Sequence, residues 1–316
     1  MKLVTFEHAG VDRIGAVVGE TVYDLAALSL ADGGVALPGT MLGLLALGPA
    51  GLARADALVA RVGPENGIPL GQVTLRAPIP RPGKLLLLAN NYAAHIEEGG
   101  EQVFTPTETT PWLFLKPNTA IIGPDQGIVC PAFSDRVDWE IELAVVIGSR
   151  CRYVPVDRAY EVVAGYTIVN DVSARRLNLG FTRTPREWDP FYDWLHGKWF
   201  DSFAPMGPYL VTRDEVPKPL GLDFELRVNG EVRQRANTNL MLFKIHDAIH
   251  FASRIMTLEP GDLIAMGTAA GTGSATNTYL QPGDVLEAEI DGLGVLRTPV
   301  ISEEQAGIPP VWGAVR

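Results

Sequence analysis

The chain has 316 residues, of which 47% are hydrophobic, so it is long enough to fill the core of one large domain or of a large and a small one. Its formal net charge of −11 argues against a nonspecific nucleic-acid binder, because no basic stripe is present to displace phosphate counterions. No apolar run approaches the roughly 18 residues of a membrane span, and the first residues lack the charged leader and apolar core of a signal peptide.

The two cysteines, Cys130 and Cys151, do not have the spacing of a zinc site. They are typical of reduced thiols in a cytoplasmic protein, with a single disulfide between them as the alternative.

The front of the chain is typical of a small α+β unit. Short strands and one Ala/Leu-rich stretch with helical spacing are predicted at Lys2–Phe6, Ile14–Val18, Thr21–Leu25 and Met41–Val62. The segment Ala77–Gly83 then interrupts regular structure, because its prolines fix φ and remove amide donors. We therefore predict a small N-terminal domain over residues 1–76 and a second domain over residues 77–316.

Short strands dominate beyond this boundary. They are predicted at Lys84–Ala89, Leu113–Lys116, the 140s, Gly165–Asp171, Gly207–Val211, Phe224–Val228, Leu263–Met266, Val285–Ile290 and Leu296–Val300. Asn229-Gly230 indicates a tight hairpin turn. Leu242–Thr257 is the clearest helix, because its apolar residues recur at three- and four-residue steps. The pattern predicts a β-rich α+β fold and not a doubly wound sheet.

Glu140 and Glu142 begin the apolar run that ends at Gly148. Residues i and i+2 of a strand share a face, about 6–7 Å apart. Since the residues that follow are apolar on both faces, the strand is predicted to be buried, and two buried carboxylates would repel each other unless protonated or bridged by a cation. Oxygen ligands favour Mg²⁺, Mn²⁺ or Ca²⁺ over zinc. The alternative is a solvated strand end at the surface.

A third acid, Asp171, closes the strand that begins at Gly165. If that strand neighbours the first, three carboxylates could converge on one cation. The alternative is a turn or a helix N-cap, for which Asp-Val-Ser-Ala is also suited.

His95 and Glu98 follow another apolar strand and lie three residues apart, on one face of a helical turn. A carboxylate that orients an imidazole can make it a general base, although a surface pair is the commoner explanation.

Lys198 lies among aromatic residues, where it is either a partly buried cation for an anionic substrate or a side chain that reaches to water. The glycine-rich loop Gly267–Gly273 is neither a P-loop nor a dinucleotide fingerprint, because no helix pattern follows, but its amides could hold a carboxylate.

The order of these segments resembles the fumarylacetoacetate hydrolase family. The resemblance covers Lys84–Val300 and is carried by Asn-Tyr…His-x-x-Glu, Phe-Leu-Lys-Pro, Glu-x-Glu-Leu-Ala-Val-Val-Ile-Gly, Gly-Tyr-Thr…Asp-Val-Ser-Ala-Arg, Lys-x-Phe-Asp-x-Phe and Gly-Asp-x-Ile-x-x-Gly-Thr. Residues 1–76 resemble the variable extension that some bacterial members carry.

The resemblance implies a mixed β-roll, barrel-like catalytic domain, usually dimeric, with one divalent metal, commonly Mg²⁺, and a small anionic 2-oxo acid as substrate. It implies that Glu140, Glu142 and Asp171 are the metal ligands. His95 with Glu98 would activate water, and Lys198 would lie near the substrate's oxygens. The implied pocket residues are Tyr92, Lys116, Arg175, Asn178 and Thr268. The expected activity is hydrolysis of a carbon–carbon bond in an acylpyruvate-type 2,4-dioxo acid, with decarboxylation, isomerisation, hydration or lyase chemistry as alternatives.

Two features depart from the family pattern, and a pair of histidines suggests a different metal site. Asn178 stands where many members have glutamine, and the aromatic stretch Leu179–His196, which includes Phe181, is longer than in most relatives; both leave the substrate open. His246 and His250 have the i, i+4 spacing of a zinc pair but no convincing third ligand, so a structural role is favoured. A non-catalytic metal-dependent binding protein is the rival from another class.

Overall fold

The computed structural model describes residues 1–33, 35–180 and 182–309. Its strands are β1 (Lys2–His8), β2 (Val11–Val18), β3 (Thr21–Asp24), β4 (Ile68–Pro69), β5 (Thr74–Arg76), β6 (Leu85–Ala89), β7 (Trp112–Leu115), β8 (Ile121–Ile122), β9 (Ile128–Cys130), β10 (Val137–Asp138), β11 (Ile141–Ile147), β12 (Val163–Asn170), β13 (Ser173–Ala174), β14 (Ala204–Thr212), β15 (Asp223–Val228), β16 (Glu231–Asn237), β17 (Leu263–Ala265), β18 (Val285–Ile290) and β19 (Gly294–Ser302).

The α-helices are α1 (Leu25–Ala31), α2 (Met41–Ala46), α3 (Gly48–Val59), α4 (Ala93–Glu98), α5 (Asp189–His196), α6 (Ile245–Ile255) and α7 (Gly273–Thr276). Short 3₁₀ helices lie at Pro64–Asn66, Leu70–Gln72, Pro106–Glu108, Asn118–Ala120, Val156–Val162 and Thr238–Leu240. None of the helices in the described ranges has both the length and the apolar character needed to cross a bilayer. Cys130 and Cys151 are both free thiols.

The main structural feature is a twelve-stranded sheet with the strand order β4-β3-β2-β1-β14-β12-β11-β17-β6-β7, to which β5 and β8 add at β1 and β14. A five-stranded sheet has the order β16-β15-β18-β19-β9, and β10 pairs with β13. Strands β17 and β6 run parallel, so their carboxyl ends meet at the same edge of the sheet. That edge carries the candidate site.

Strand β11 lies inside the long sheet, between β12 and β17, and all seven of its residues are buried. Leu143 and Val145 belong to one apolar core, whereas Ala144 and Val146 belong to the core on the other face. This double burial explains why the strand is a continuous apolar run. It confirms the prediction that the strand after Glu140 is buried.

The β-rich α+β fold is confirmed. The described strands form open sheets, however, and do not close into a barrel. The hairpin turn is at Asn229-Gly230, with φ of +52° and +80°, as predicted. Helix α6 buries the expected apolar face but begins at Ile245, three residues later than predicted. The domain boundary after residue 76 stays a prediction. The pairing of β1 with β14 means that one sheet contains strands from both sides of it.

Strand β12 approaches β14 closely at Gly165, which pairs with Thr212. A Cβ at Gly165 would lie 2.1 Å from the backbone oxygen of Val211, which no side-chain rotation can relieve. We expect Gly165→Ala to lower the free energy of unfolding by about 1–3 kcal/mol, measured by urea denaturation, because the strands must separate. The control is Gly71→Ala, where a Cβ meets nothing within 4 Å. Equal stability of the two variants would contradict the close approach.

Candidate metal centre and catalytic dyad

Glu140, Glu142 and Asp171 converge in the structure. Each offers a carboxylate oxygen, and these three oxygens lie within 4.8 Å of one another. Strands β11 and β12 are antiparallel with Ile141 opposite Asn170, so the residue before β11 and the residue after β12 meet at one end. The amide of Asp171 donates to the carbonyl of Glu140 at 2.8 Å and fixes this meeting point.

The three side chains are only 4%, 2% and 1% exposed, so the solvated strand end is ruled out as an explanation for the glutamates. Asp171 is followed by the short strand β13 and caps no helix.

Three cations surround the carboxylates. The Nζ of Lys198 donates to Glu140 at 2.8 Å and to Asp171 at 2.6 Å, while Arg175 pairs with Glu140 from another direction. The Nζ of Lys116 pairs with Asp171 and donates to the carbonyl of Val172. Buried charges persist only when they are paired and hydrogen-bonded, and this arrangement meets that condition for Glu140 and Asp171.

The pKa values follow from this distribution of charge. Burial opposes ionisation of Glu140, but the positive charges of Arg175 and Lys198 outweigh it and hold the pKa of Glu140 well below its usual range. Burial together with the negative charges of Asp171 and Glu140 raises the pKa of Glu142 well above its usual range. Burial also lowers the pKa of Lys116 to about 8, despite the opposing attraction of Asp171.

The donor set fits a divalent ion that prefers oxygen ligands. All three side chains are carboxylates, and no histidine or cysteine joins the cluster in the described ranges. Within the described residues, Glu142 has no cationic side chain paired with it and accepts a hydrogen bond only from the amide of Gly267, at 2.8 Å. A bound Mg²⁺, Mn²⁺ or Ca²⁺ would balance that charge, so Glu140, Glu142 and Asp171 are the residues that would hold such an ion.

His95 and Glu98 form a hydrogen-bonded pair on α4. The Nδ1 atom of His95 lies 2.8 Å from a carboxylate oxygen of Glu98. Burial opposes ionisation of Glu98, but hydrogen bonds from His95, from the amide of Gly271 and from the hydroxyl of Thr272 outweigh it and lower its pKa. An ionised Glu98 accepts a hydrogen bond from the N–H at Nδ1, which leaves Nε2 of the neutral ring free to accept a proton from another molecule.

The glycine-rich loop holds carboxylates of the protein itself. The amide of Gly267 donates to Glu142, the amide of Gly271 donates to Glu98, and the amide of Gly273 donates to Asp138 at 2.6 Å. The loop ends in the one-turn helix α7, which the sequence did not predict. It therefore connects a candidate metal ligand with the partner of the candidate base.

A cleft of about 200 Å³ joins these groups. Its lining includes His95, Glu140, Glu142, Asp171, Arg175, Lys198, Thr268 and Ser274. Three expected pocket residues lie elsewhere. Lys116 lies behind Asp171, and Asn178 is exposed on the surface.

The third, Tyr92, is buried against the ring of Phe224, with centroids 6.0 Å apart. Its hydroxyl has no hydrogen-bond partner in the described ranges. Burial, assisted by the charge of Glu142, raises its pKa. Tyr92 therefore packs in the apolar core and does not line the cleft, and a role for it in the pocket stays a prediction.

Two supporting residues were missed by sequence reasoning. Asp138 accepts hydrogen bonds from Arg175 and from the amides of Gly273 and Ser274, so it orients the cation and the loop together. Gln234 donates to Thr268 at 2.9 Å and accepts from the amide of Ile141 at 3.1 Å. Only the spacing of Asp138, two residues before Glu140, could have indicated it, because an extended chain places such side chains on one face.

His246 and His250 do not form a metal site with a third ligand in the described ranges. His246 lies beside Asp247, and the Nδ1 of His250 is 2.7 Å from the carbonyl of Val154. A structural role for both stays a prediction. Of the aromatic stretch, Phe181 lies outside the described residues.

The site thus combines a buried trio of carboxylates, an adjacent His–Glu pair and a lysine, a donor set that could hold a divalent ion. The family model described as fumarylacetoacetate (FAA) hydrolase C-terminal matches residues 84–301. The chain belongs to the fumarylacetoacetate hydrolase family.

Relatives include the mitochondrial oxaloacetate tautomerase FAHD2A of Bos taurus, 40% identical over 307 residues, which are 95% of this chain and 92% of that protein. The maleylpyruvate hydrolase of Sphingobium sp. SYK-6, solved with manganese(II) and pyruvate, has a TM-score of 0.75 and 33% identity, covering 96% of this chain and 99% of that one. A fumarylacetoacetate hydrolase of Exiguobacterium antarcticum has a TM-score of 0.77 and 33% identity over the same shares.

Replacing Glu142 by glutamine keeps its shape but removes its charge. We expect Glu142→Gln to weaken Mn²⁺ binding by more than about 100-fold, measured by paramagnetic resonance titration, since changes in the groups that merely support ligands cost 10–100-fold. The control is Glu231→Gln, at an exposed carboxylate, which should bind Mn²⁺ as the original chain does. Unchanged affinity in Glu142→Gln would remove this residue from the metal site.

The lowered pKa of Glu98 predicts a pH-dependent contribution to stability. Because its folded pKa lies below the unfolded value of about 4.3, the contribution is present above that pH and is lost as the pH falls through the folded pKa. We expect the free energy of unfolding of Glu98→Gln to be about 1–3 kcal/mol lower than that of the original chain near pH 7, because the glutamine NH₂ group would face hydrogen-bond donors. This difference should narrow below about pH 4, where Glu98 itself becomes protonated. Denaturation at both pH values tests this, and a constant gap would contradict it.

Proposed function

We propose that the chain is a divalent-metal-dependent hydrolase that cleaves a carbon–carbon bond in an acylpyruvate-type 2,4-dioxo acid, with Mg²⁺ as the usual ion. The observation that carries the proposal is the hydrogen-bonded pair of His95 and Glu98 in the same cleft as the three carboxylates. Pyruvate and manganese(II) in the related maleylpyruvate hydrolase support it. A cytoplasmic location and a homodimeric assembly belong to the same proposal.

Each group of the cleft has one task in this reaction. When bound by the three carboxylates, the ion supplies Lewis-acid polarisation of the substrate's oxo oxygen and balances negative charge. Nε2 of His95 accepts a proton from a water molecule next to the distal carbonyl, and Glu98 stabilises the resulting imidazolium. The water oxygen adds to carbon 4, and the bond between carbons 3 and 4 breaks. The electron pair stays with carbon 3, and the distal acyl group leaves as a carboxylic acid.

Lys198 stabilises the charge that develops on the departing half. Burial favours its neutral form, but Asp171 and Glu140 outweigh this and raise its pKa, so it remains an ammonium group inside the cleft. A fixed cation in a site with little water stabilises an enolate oxygen more strongly than a solvated one does. The proton taken by His95 is available to return to carbon 3 and give the oxo acid.

Tautomerisation of oxaloacetate is the second candidate. The 40% identity to the oxaloacetate tautomerase extends over 307 residues, beyond the 84–301 range of the family model. The same imidazole can move a proton between carbon 3 and the oxo oxygen without water addition. The two reactions therefore share residues and differ only in whether a bond between carbons breaks.

One experiment separates them. Protein treated with EDTA is reloaded with Mg²⁺, Mn²⁺ or Ca²⁺ and supplied with acylpyruvates or with enol-oxaloacetate. Pyruvate release, followed with lactate dehydrogenase, reports hydrolysis, whereas loss of enol absorbance without pyruvate reports tautomerisation. Turnover of neither substrate with any ion would contradict both candidates.

The dyad predicts a specific mutational result. We expect His95→Asn to lower kcat/KM by about 10²–10⁴-fold, because general-base assistance is lost, while Mn²⁺ affinity is retained. The control is His246→Asn, at a partly exposed histidine outside the cleft, which should behave as the original chain. A non-catalytic binding protein would show no effect of His95→Asn in any assay.

A further inference from the structure

A second, larger chamber adjoins the candidate active site. It has a volume of about 620 Å³, against about 200 Å³ for the cleft with the carboxylates, and it is open to solvent on one side, since Trp112, Phe191 and Ile255 are 60%, 49% and 54% exposed. The two share five lining residues, which are Ala89, Asn90, Glu101, Phe114 and Trp194. These shared residues border both spaces, so the chamber adjoins the carboxylates, and its volume is typical of ligand pockets of about 300–1,000 Å³.

Aromatic rings form much of the chamber wall. Phe114 of β7 and Trp194 of α5 meet edge to face, with ring centroids 5.0 Å apart, and Phe191 lies 5.9 Å from Trp194. Phe251 and Ile255 of α6 close another side. These rings begin next to the candidate catalytic cation, because Nζ of Lys198 lies 5.4 Å from the centroid of Phe114 and 5.6 Å from that of Trp194.

The chamber contains no cation for an anionic group. Among its described lining residues, Glu101 is the only one with an ionisable side chain. Its carboxylate accepts a hydrogen bond from Asn90 at 3.0 Å, at the junction with the cleft. A second carboxylate on a substrate would find no cation among these lining residues and would face the like charge of Glu101, which is unfavourable. An apolar group would gain about 25 cal/mol for each Å² that it buries.

We propose that the substrate carries an uncharged, apolar substituent, alkyl or aryl, at the end distal to its oxo-acid head, and that this substituent lies in the chamber. This proposal rests on the proposed function and narrows its substrate class. Phe191 lines the chamber but not the cleft, so it is a specificity-determining residue that can be changed without altering the cleft. Dicarboxylic substrates of similar length are disfavoured by the same wall.

The test compares substrates with one head and different tails. We expect kcat/KM to rise by about fourfold for each methylene from acetylpyruvate to butanoylpyruvate, and to be high for benzoylpyruvate. Succinylpyruvate, in which a carboxylate replaces the terminal methyl of butanoylpyruvate, should be at least about tenfold poorer. A succinyl compound that equals or exceeds the butanoyl compound would overturn the proposal.

Variants assign the effect to the chamber. Phe191→Ala should lower the ratio of kcat/KM for benzoylpyruvate over acetylpyruvate by about tenfold. Trp188→Ala removes another exposed aromatic side chain, which does not line the chamber, and should leave that ratio unchanged. Ile255→Arg, at a side chain 54% exposed, places a cation in the wall and should raise the relative activity on succinylpyruvate. An unchanged ratio in Phe191→Ala would overturn the assignment.

Binding measurements separate this proposal from the proposed function. Calorimetry on the Mn²⁺-loaded His95→Asn variant gives affinities for the same four compounds without turnover. Tighter binding of the aryl compound, together with no turnover by the unmodified chain, would refute the hydrolase while the chamber assignment stands. Equal affinities would overturn the chamber assignment even if hydrolysis occurs. Light scattering on Phe191→Ala completes the test, since loss of a dimer would show that a second copy covers the chamber.

Discussion

The structure depends on bringing three negative charges together out of contact with water. Glu140, Glu142 and Asp171 would repel one another in the sheet interior, and each would lose hydration on burial. Lys198 and Arg175 offset this cost for the first and third acids through direct ion pairs. Among the described residues, Glu142 accepts a hydrogen bond only from the backbone amide of Gly267. Burial and the neighbouring negative charges therefore raise its pKa. A divalent ion is the simplest group that would balance this negative charge.

The sheet is built to hold these charges in place. Strand β11 has neighbours on both sides and an apolar core against each face, so its backbone has little freedom to move away from the repulsion. The pairing of β11 with β12 sets the distance between Glu140 and Asp171, and the close contact at Gly165 holds β12 against β14. Rigid placement of this kind is what a site needs when its ligands come from separate strands.

Several strands, the main helix and part of the candidate site could be predicted from the sequence, because each depends on residues that are close together in the chain. The run after Glu140 is apolar on both faces, which favours a doubly buried strand, and α6 and the hairpin at Asn229-Gly230 followed from periodicity and turn chemistry. Glu98 could be predicted as the partner of His95, since three residues along a helix bring side chains together.

The missed features depend on contacts between distant segments. Asp138 gains its role from amides 135 and 136 positions away, and no local pattern encodes such a distance. Tyr92 and Asn178 were assigned to the pocket by resemblance alone, and the structure places neither in its lining. The existence of the chamber could not be predicted either. Its walls come from β7, α5 and α6, which meet only in the folded chain.

The loop from Gly267 to Ser274 contacts both Glu142, a candidate metal ligand, and Glu98, the partner of the candidate base His95. Near its start an amide holds Glu142, and further along Gly271 and Thr272 hold Glu98. The separation between the base and the charged centre is thereby encoded in one short stretch of peptide. Inserting or deleting a single residue there would move Glu98 and Glu142 relative to each other, so the length of this loop is itself a structural constraint on the site.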